Sequence, residues 1–270
     1  MVGAEIIMIR PSQTAIALLL VALAACASKT QDGADAGTGS TAFPISGPIS
    51  VVREDTAAFV YFFPANLDAA STWPALVWFN GASGYTENFN YNGLLESIAS
   101  WGFIVIGGKS AGKNPAESDE RMELLRRNDD PVDALFGRID EARIAVAGHS
   151  LGGFQTTEAS SQYRVAIAVE GAGTPTTSEA APTLFMTSEG DEVVSSSIVI
   201  TAFDRAVNVA WLAKHATANH ENPRIDGGVF REPIVAFLRW QLHDDPNGGR
   251  WYLGDACVLC EDPNWSVDGP

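Results

Sequence analysis

Apolar and polar positions along this chain follow two spacings. Ile49–Arg53 and Ala57–Phe63 are short β-type runs, and Pro64 closes the second, which predicts a hairpin. Pro74–Asn80 (PALVWFN), Phe103–Gly108 (FIVIGG), Arg143–Ala147, Val165–Val169 (VAIAV) and Thr183–Thr187 (TLFMT) are near-unbroken apolar runs. Such runs are expected of parallel strands covered on both faces. Val207–Leu212 reads as the last strand. Between the strands lie segments of helical spacing. Asn88–Ser100 places Phe89, Leu94, Leu95 and Ile98 on one side. Asp119–Phe136 is charged at its start, a helix can begin near Phe154, and Phe230–His243 aligns Ile234, Phe237, Leu238 and Leu242. The alternation predicts an α/β architecture, a mainly parallel sheet flanked by helices on both faces. No composition break divides 42–270, so this stretch is expected to form one domain.

The N-terminus follows a different pattern. Met8–Cys26 has a short basic start at Arg10 and an apolar run, Ala15–Ala25, too short for a stable membrane span. Met8 fits as an alternative start, because Met1–Ile7 adds Glu5 to a region that is normally basic. The run ends in Leu23-Ala24-Ala25-Cys26, which resembles a bacterial lipobox. Residues 1–25 are therefore expected to be a lipoprotein signal peptide, with Cys26 the lipidated first mature residue. An ordinary signal peptide with a chance cysteine is the alternative. The Ser-, Gly-, Ala-, Thr- and Asp-rich stretch 26–41 reads as a flexible tether, and 42–270 as the functional domain. The expected location is the bacterial cell envelope, at the outer membrane or its periplasmic face.

Composition narrows the partners. Of 270 residues, 46% are hydrophobic and 19% charged, enough apolar material for one large core. The net charge is −16, and removing Arg10 and Glu5 with residues 1–25 leaves it unchanged. Such a surface repels phosphate backbones, which argues against nucleic acid. No metal-binding motif or dinucleotide fingerprint is present, so no cofactor is expected, and a monomer is. The remaining cysteines form CVLC, Cys257 and Cys260. In an exported chain this reads as a disulfide. A redox pair would need a βαβ context, and zinc would need two further ligands.

The candidate chemistry centres on Gly148-His149-Ser150-Leu151-Gly152, a G-x-S-x-G pattern between a strand and a helix. A strand that turns sharply into a helix crowds the positions two residues either side of the tip, which explains the glycines. Serine needs a base, and the base needs a carboxylate. Three histidines lie downstream: His215, His220 and His243. His220, in a loop between the last strand and the last helix, is the preferred base; His215 is second, and His243 sits within the helix. The loop after TLFMT offers Glu189, Asp191 and Glu192; Asp191 is preferred, with the glutamates as alternatives. Oxyanion donors are expected from the backbone N–H of Leu151 and of Tyr85 in the loop Asn80–Asn88. Only residues 170–182 separate two strands where lidded lipases insert a cap, which predicts an open site.

The GYT loop, the elbow GHSLGG, EGDEVV and ANHENP ahead of a Trp-bearing helix together resemble the polyesterase–lipase–cutinase group of α/β-hydrolases, over about Ser46–Pro270. The resemblance implies an α/β-hydrolase fold without a large lid. It also implies carboxylester hydrolysis through an acyl-enzyme, with Ser150, Asp191 and His220 as triad and Tyr85 and Leu151 as oxyanion donors. A C-terminal disulfide suits it. Polyester-degrading members carry a tryptophan after the strand that follows the elbow; Glu170–Ala180 has no aromatic residue, which argues against aromatic polyesters. A thioesterase, a peptidase or a non-catalytic envelope-binding lipoprotein are the competing readings.

Overall fold

The structure is a computed structural model and describes residues 42–68, 70–84, 90–110, 119–175 and 177–270. The signal peptide, Cys26, the tether 26–41 and Tyr85 lie outside the described residues.

The strands are β1 (Val51–Asp55), β2 (Phe59–Pro64), β3 (Trp73–Phe79), β4 (Ile104–Gly108), β5 (Ile139–His149), β6 (Val165–Val169), β7 (Thr183–Ser188), β8 (Ala210–His215) and β9 (Trp265–Asp268). They form one sheet in the order β1-β2-β4-β3-β5-β6-β7-β8-β9. The six central strands, β4 to β8, are parallel; β1, β2 and β9 are antiparallel additions at the two edges. The helices are α1 (Asn92–Ser100), α2 (Asp119–Asp129), α3 (Leu151–Ala159), α4 (Ser196–Asp204), α5 (Arg231–His243), and the short α6 (Pro246–Gly249) and α7 (Val258–Glu261).

Alternation along the buried strands builds two layers of core. Leu76 and Trp78 of β3 face the side covered by Leu94, Leu95 and Ile98 of α1 and Ile234, Phe237 and Leu238 of α5. Ala75, Val77 and Phe79 face the opposite side with Leu124 of α2 and Ala159 of α3. Ala168, Phe185 and Leu212 pack with Val199 and Ala202 of α4 in a third cluster. Both faces are therefore dry, which is why the strands read as continuous apolar runs. Residues 170–182 hold no helix or strand among the described residues, so no cap is inserted between β6 and β7.

Several expected boundaries shift. The second helix ends at Asp129 rather than Phe136, because Asp130 precedes Pro131 and is pushed away from helical backbone. Helix α4 was not anticipated: its serine-rich start hides an apolar face at Val199 and Ala202. Strand β8 is not the last. After α5 the chain returns, and Trp265–Asp268 pairs antiparallel with β8. Cys257 and Cys260 are disulfide-bonded, with Cα atoms 5.1 Å apart, at the α7 turn that leads into β9.

His243, at the end of α5, packs edge-on against Phe103 and bonds the Gly102 carbonyl through Nε2 at 3.0 Å. Burial is the main cause that pushes its pKa down from 6.5 to about 4. A base with a depressed native pKa contributes stability above 6.5 that is lost as pH falls towards 4. The thermal midpoint is therefore expected to drop over this interval, and His243→Gln, which keeps a donor for Gly102, should show a smaller drop in a calorimetric pH series.

Candidate active site

Strand β5 ends at His149, and Ser150 turns the chain into α3 with φ 56° and ψ −119°. Left-handed backbone is costly for a residue with a Cβ, roughly 1–3 kcal/mol, and persists only where surroundings enforce it. Here the enforcement is close backbone packing. A Cβ on Gly148 would lie 2.5 Å from the Gly152 carbonyl oxygen, and one on Gly152 would lie 2.1 Å from that of Phe79. Gly153 and Gly171 extend the crowding: a Cβ on Gly171 would meet the Ser150 carbonyl oxygen at 2.2 Å. The glycines of the motif are thus explained by main chain, which cannot move aside as a flexible side chain can.

The serine tip meets loops from later strands. Ser150 Oγ is 2.9 Å from His220 Nε2, and His220 Nδ1 is 2.8 Å from Asp191 Oδ2. His220 and Asp191 are both buried. The other carboxylate oxygen, Asp191 Oδ1, accepts the N–H groups of Val193 and Val194, both at 2.8 Å. Asp191 Oδ2 thereby aims at the ring, and the imidazole presents Nε2 to the serine.

The alternatives named from sequence take other roles. Glu189 is exposed and pairs with Lys214 at 2.7 Å, which holds its carboxyl below the usual range. Glu192 is exposed. His215 stacks edge-on against Trp265, and its Nδ1 accepts the N–H groups of Thr217 and Ala218 at 3.1 and 2.9 Å. It shapes the turn that delivers His220 and stands outside the relay. Burial lowers its pKa, which suits a ring nitrogen that must stay an acceptor.

On the opposite side, the loop after β3 reaches the serine. A Cβ on Gly81 would be 3.4 Å from Ser150 Cβ, so its backbone runs directly past the serine side chain. Leu151 opens α3, and its N–H is one of the first-turn groups that have no partner within a helix. It is therefore available to a developing oxyanion. Tyr85, the other expected donor, lies outside the described residues.

A family model described as PET hydrolase-like matches residues 32–253. The chain belongs to the PET hydrolase-like family. It is a family of α/β-hydrolases, and membership implies ester hydrolase activity in general. A comparison with curated proteins returns no match.

Sequence reasoning missed a second buried group behind Ser150, His220 and Asp191. Glu170, at the end of β6, and His149 are both fully buried. Glu170 Oε2 is 3.4 Å from His149 Nε2 and 3.9 Å from His220 Nδ1. His149 Nδ1 is 2.7 Å from the Tyr91 hydroxyl, and Glu170 Oε1 is 2.8 Å from Ser188 Oγ. Atoms of His149, Glu170 and His220 lie within 4.8 Å of one another, a spacing a metal ion could use. However, Ser150 and Asp191 hold both nitrogens of His220, and Tyr91 and Ser188 hold the far ends of the other two. The three side chains are therefore anchored from outside the cluster, while His149 Nε2 and Glu170 Oε2 face each other at 3.4 Å. Its sequence signal is a lone charge closing an otherwise apolar strand, VAIAVEG.

Gly152→Ala is expected to remove about 100-fold or more of the esterase activity of the folded protein, or to prevent folding, because Phe79 backbone blocks the methyl. Ester assays alongside circular dichroism distinguish the two results, and a fully active variant would contradict the crowding argument.

Proposed function

We propose that the protein is a serine carboxylester hydrolase that works through an acyl-enzyme. The observation that carries this reading is the continuous relay from Ser150 Oγ through His220 to Asp191, at 2.9 and 2.8 Å. Ser150 Oγ attacks the ester carbonyl carbon while its proton passes to His220 Nε2. The imidazolium is stabilised by Asp191, which keeps Nδ1 protonated throughout. The oxyanion takes hydrogen bonds from the backbone N–H groups of Leu151 and Tyr85. Collapse expels the alcohol, which receives the proton from His220. Water then attacks the acyl-enzyme with His220 again as base, and the acid leaves with Ser150 regenerated.

The substrate side of the reading rests on openness and apolarity. Among the described residues no cap is inserted between β6 and β7, and the neighbours of the triad in sequence include the exposed apolar residues Leu151, Val193 and Ile225. This suits esters with bulky or varied acyl and alcohol groups, small or polymeric. The absence of an aromatic residue in Glu170–Ala180 favours aliphatic over aromatic esters. We also infer that the chain is exported, that residues 1–25 are removed, and that Cys26 carries lipid anchoring a monomer in a bacterial envelope. The support is the lipobox-like LAAC and the polar stretch behind it. A tethered enzyme acts on esters that reach the cell, soluble or at its surface.

With p-nitrophenyl esters of increasing chain length, Ser150→Ala should reduce kcat by at least about 10⁴-fold and lose labelling by a fluorophosphonate. Asp191→Asn should cost about 10³- to 10⁴-fold with little change in KM, since it leaves the wrong tautomer at His220. Unchanged turnover in Ser150→Ala would sink the proposal. For the anchor, full-length chain expressed in a bacterial host should incorporate a fatty-acid probe and sediment with membranes, and Cys26→Ser should do neither. An unlabelled, soluble wild type would remove the lipid from the account.

A further inference from the structure

Glu170 has no part in the relay, yet the fold accommodates it at some cost. It is fully buried beside the catalytic histidine, and its φ of 46° is left-handed backbone that disfavours a side chain. Strain and a buried acid coinciding at one residue call for a function.

Counting protons gives one. Ser188 Oγ lies 2.6 Å from the Ala218 carbonyl oxygen and 2.8 Å from Glu170 Oε1. The carbonyl can only accept, and the serine hydroxyl has a single proton, so the shorter contact takes it. Oε1 must then be the donor, and a carboxyl that donates is a carboxylic acid. The count from the other end agrees. Gly81 N–H donates to the Tyr91 hydroxyl at 3.3 Å, and with that hydroxyl otherwise facing only His149 Nδ1 among the described residues, at 2.7 Å, its proton is assigned to that nitrogen. His149 is then the Nε2–H tautomer, kept neutral by burial, and Nε2–H faces Glu170 Oε2. At 3.4 Å this is a long polar contact, with no hydrogen bond of ordinary geometry to either atom among the described residues, and the His149 ring also meets the main chain of His220.

We propose that Glu170 is a positioning residue of the hydrolytic site: as a neutral carboxylic acid it donates to Ser188, which in turn holds the histidine loop at Ala218, while its other oxygen packs against His149, and so it fixes His220 without placing a second charge beside it. The role rests on the hydrolase reading above; the protonation state does not.

Ionisation would undo both effects. A Glu170 carboxylate could no longer donate to Ser188, and its Oε2, 3.9 Å from His220 Nδ1, would rival Asp191 Oδ2 at 2.8 Å. The groups facing Glu170 oppose that charge. His149 on β5 is neutral, Asp191 after β7 and Glu221 after β8 are acids that repel it, and His220 is already committed to Asp191. The charge of Arg224 acts on Tyr91 and His149, behind it. Burial foremost, then the fields of Asp191 and Glu221, push the Glu170 pKa from 4.5 up to about 8.

An acid whose native pKa is raised contributes stability that is complete below 4.5 and is lost as pH rises to about 8. Glu170→Gln keeps an acceptor and a donor and cannot ionise. The first arm compares thermal midpoints of wild type and Glu170→Gln across this range, and needs no substrate. The advantage of Glu170→Gln is expected to grow steadily with pH and to level off above about 8. A pH-independent difference would mean that native Glu170 titrates normally and overturns the proposal. The second arm is ester hydrolysis at neutral pH. Glu170→Ala should lose about tenfold or more in kcat with KM within about twofold, and Glu170→Gln should recover most of that loss. Wild-type kcat in Glu170→Ala, or a Gln variant no better than Ala, also overturns it. Should Glu170→Ala fail to fold, the first arm decides alone. If Ser150→Ala instead retained turnover, the hydrolase reading would fall while the melting series still reported on the Glu170 proton.

Discussion

Everything at this site depends on how closely main chain can approach Ser150. Its left-handed backbone is held by carbonyl groups of Phe79, Gly152 and Gly171 packed where side chains would otherwise stand. This brings the ends of β3, β5 and β6 together around one hydroxyl. The strain is local and is sustained by the large core on both faces of the sheet, which fixes the strand ends before any loop is considered. A turn with ordinary geometry would bury the serine along the strand direction. The strained one projects it towards the loops that carry acid and base.

The acid and histidine loops are then secured to one another. A Cβ on Gly190 would lie 2.5 Å from the carbonyl oxygens of Thr217 and Ala218, so the turn before Asp191 sits directly on the turn before His220. His215 Nδ1 gathers the N–H groups of Thr217 and Ala218. Further along, Ile225 N–H bonds the Asn90 carbonyl at 2.8 Å and its own carbonyl accepts from Leu94 at 3.0 Å, fastening the histidine loop to α1. Pre-organisation of this kind matters because a base misplaced by about 1 Å can cost two orders of magnitude in rate.

Much of this was legible in the sequence, for physical reasons. Parallel strands buried on both faces must be continuously apolar, so PALVWFN, VAIAV and TLFMT announced β3, β6 and β7 within a residue or two. The crowding at the elbow permits only glycine, so Ser150 stood out; chain order and loop placement pointed to His220, and the structure brings it to Ser150 and Asp191. Edge and surface elements were less visible. Strand β9 is half exposed and arises from partner pairing with β8, and α4 begins in serines. The buried chain through Tyr91, His149, Glu170 and Ser188 joins residues far apart in sequence, and no local spacing signals it.

Two carboxyl groups beside one imidazole pose a choice that geometry makes. Asp191 is given donors for a charge: Val193 N–H, Val194 N–H and His220 Nδ1–H converge on it at 2.8 Å. Glu170, only 3.9 Å from Nδ1 in space, is given an acceptor that needs its proton and a long contact from a neutral histidine. Burying a charge is tolerable only where donors replace the water it loses. Had both acids been equally supplied, the ring would have two equivalent orientations and Ser150 would face Nε2 only part of the time. Unequal hydrogen bonding settles which acid is the anion, and through it which way the imidazole points.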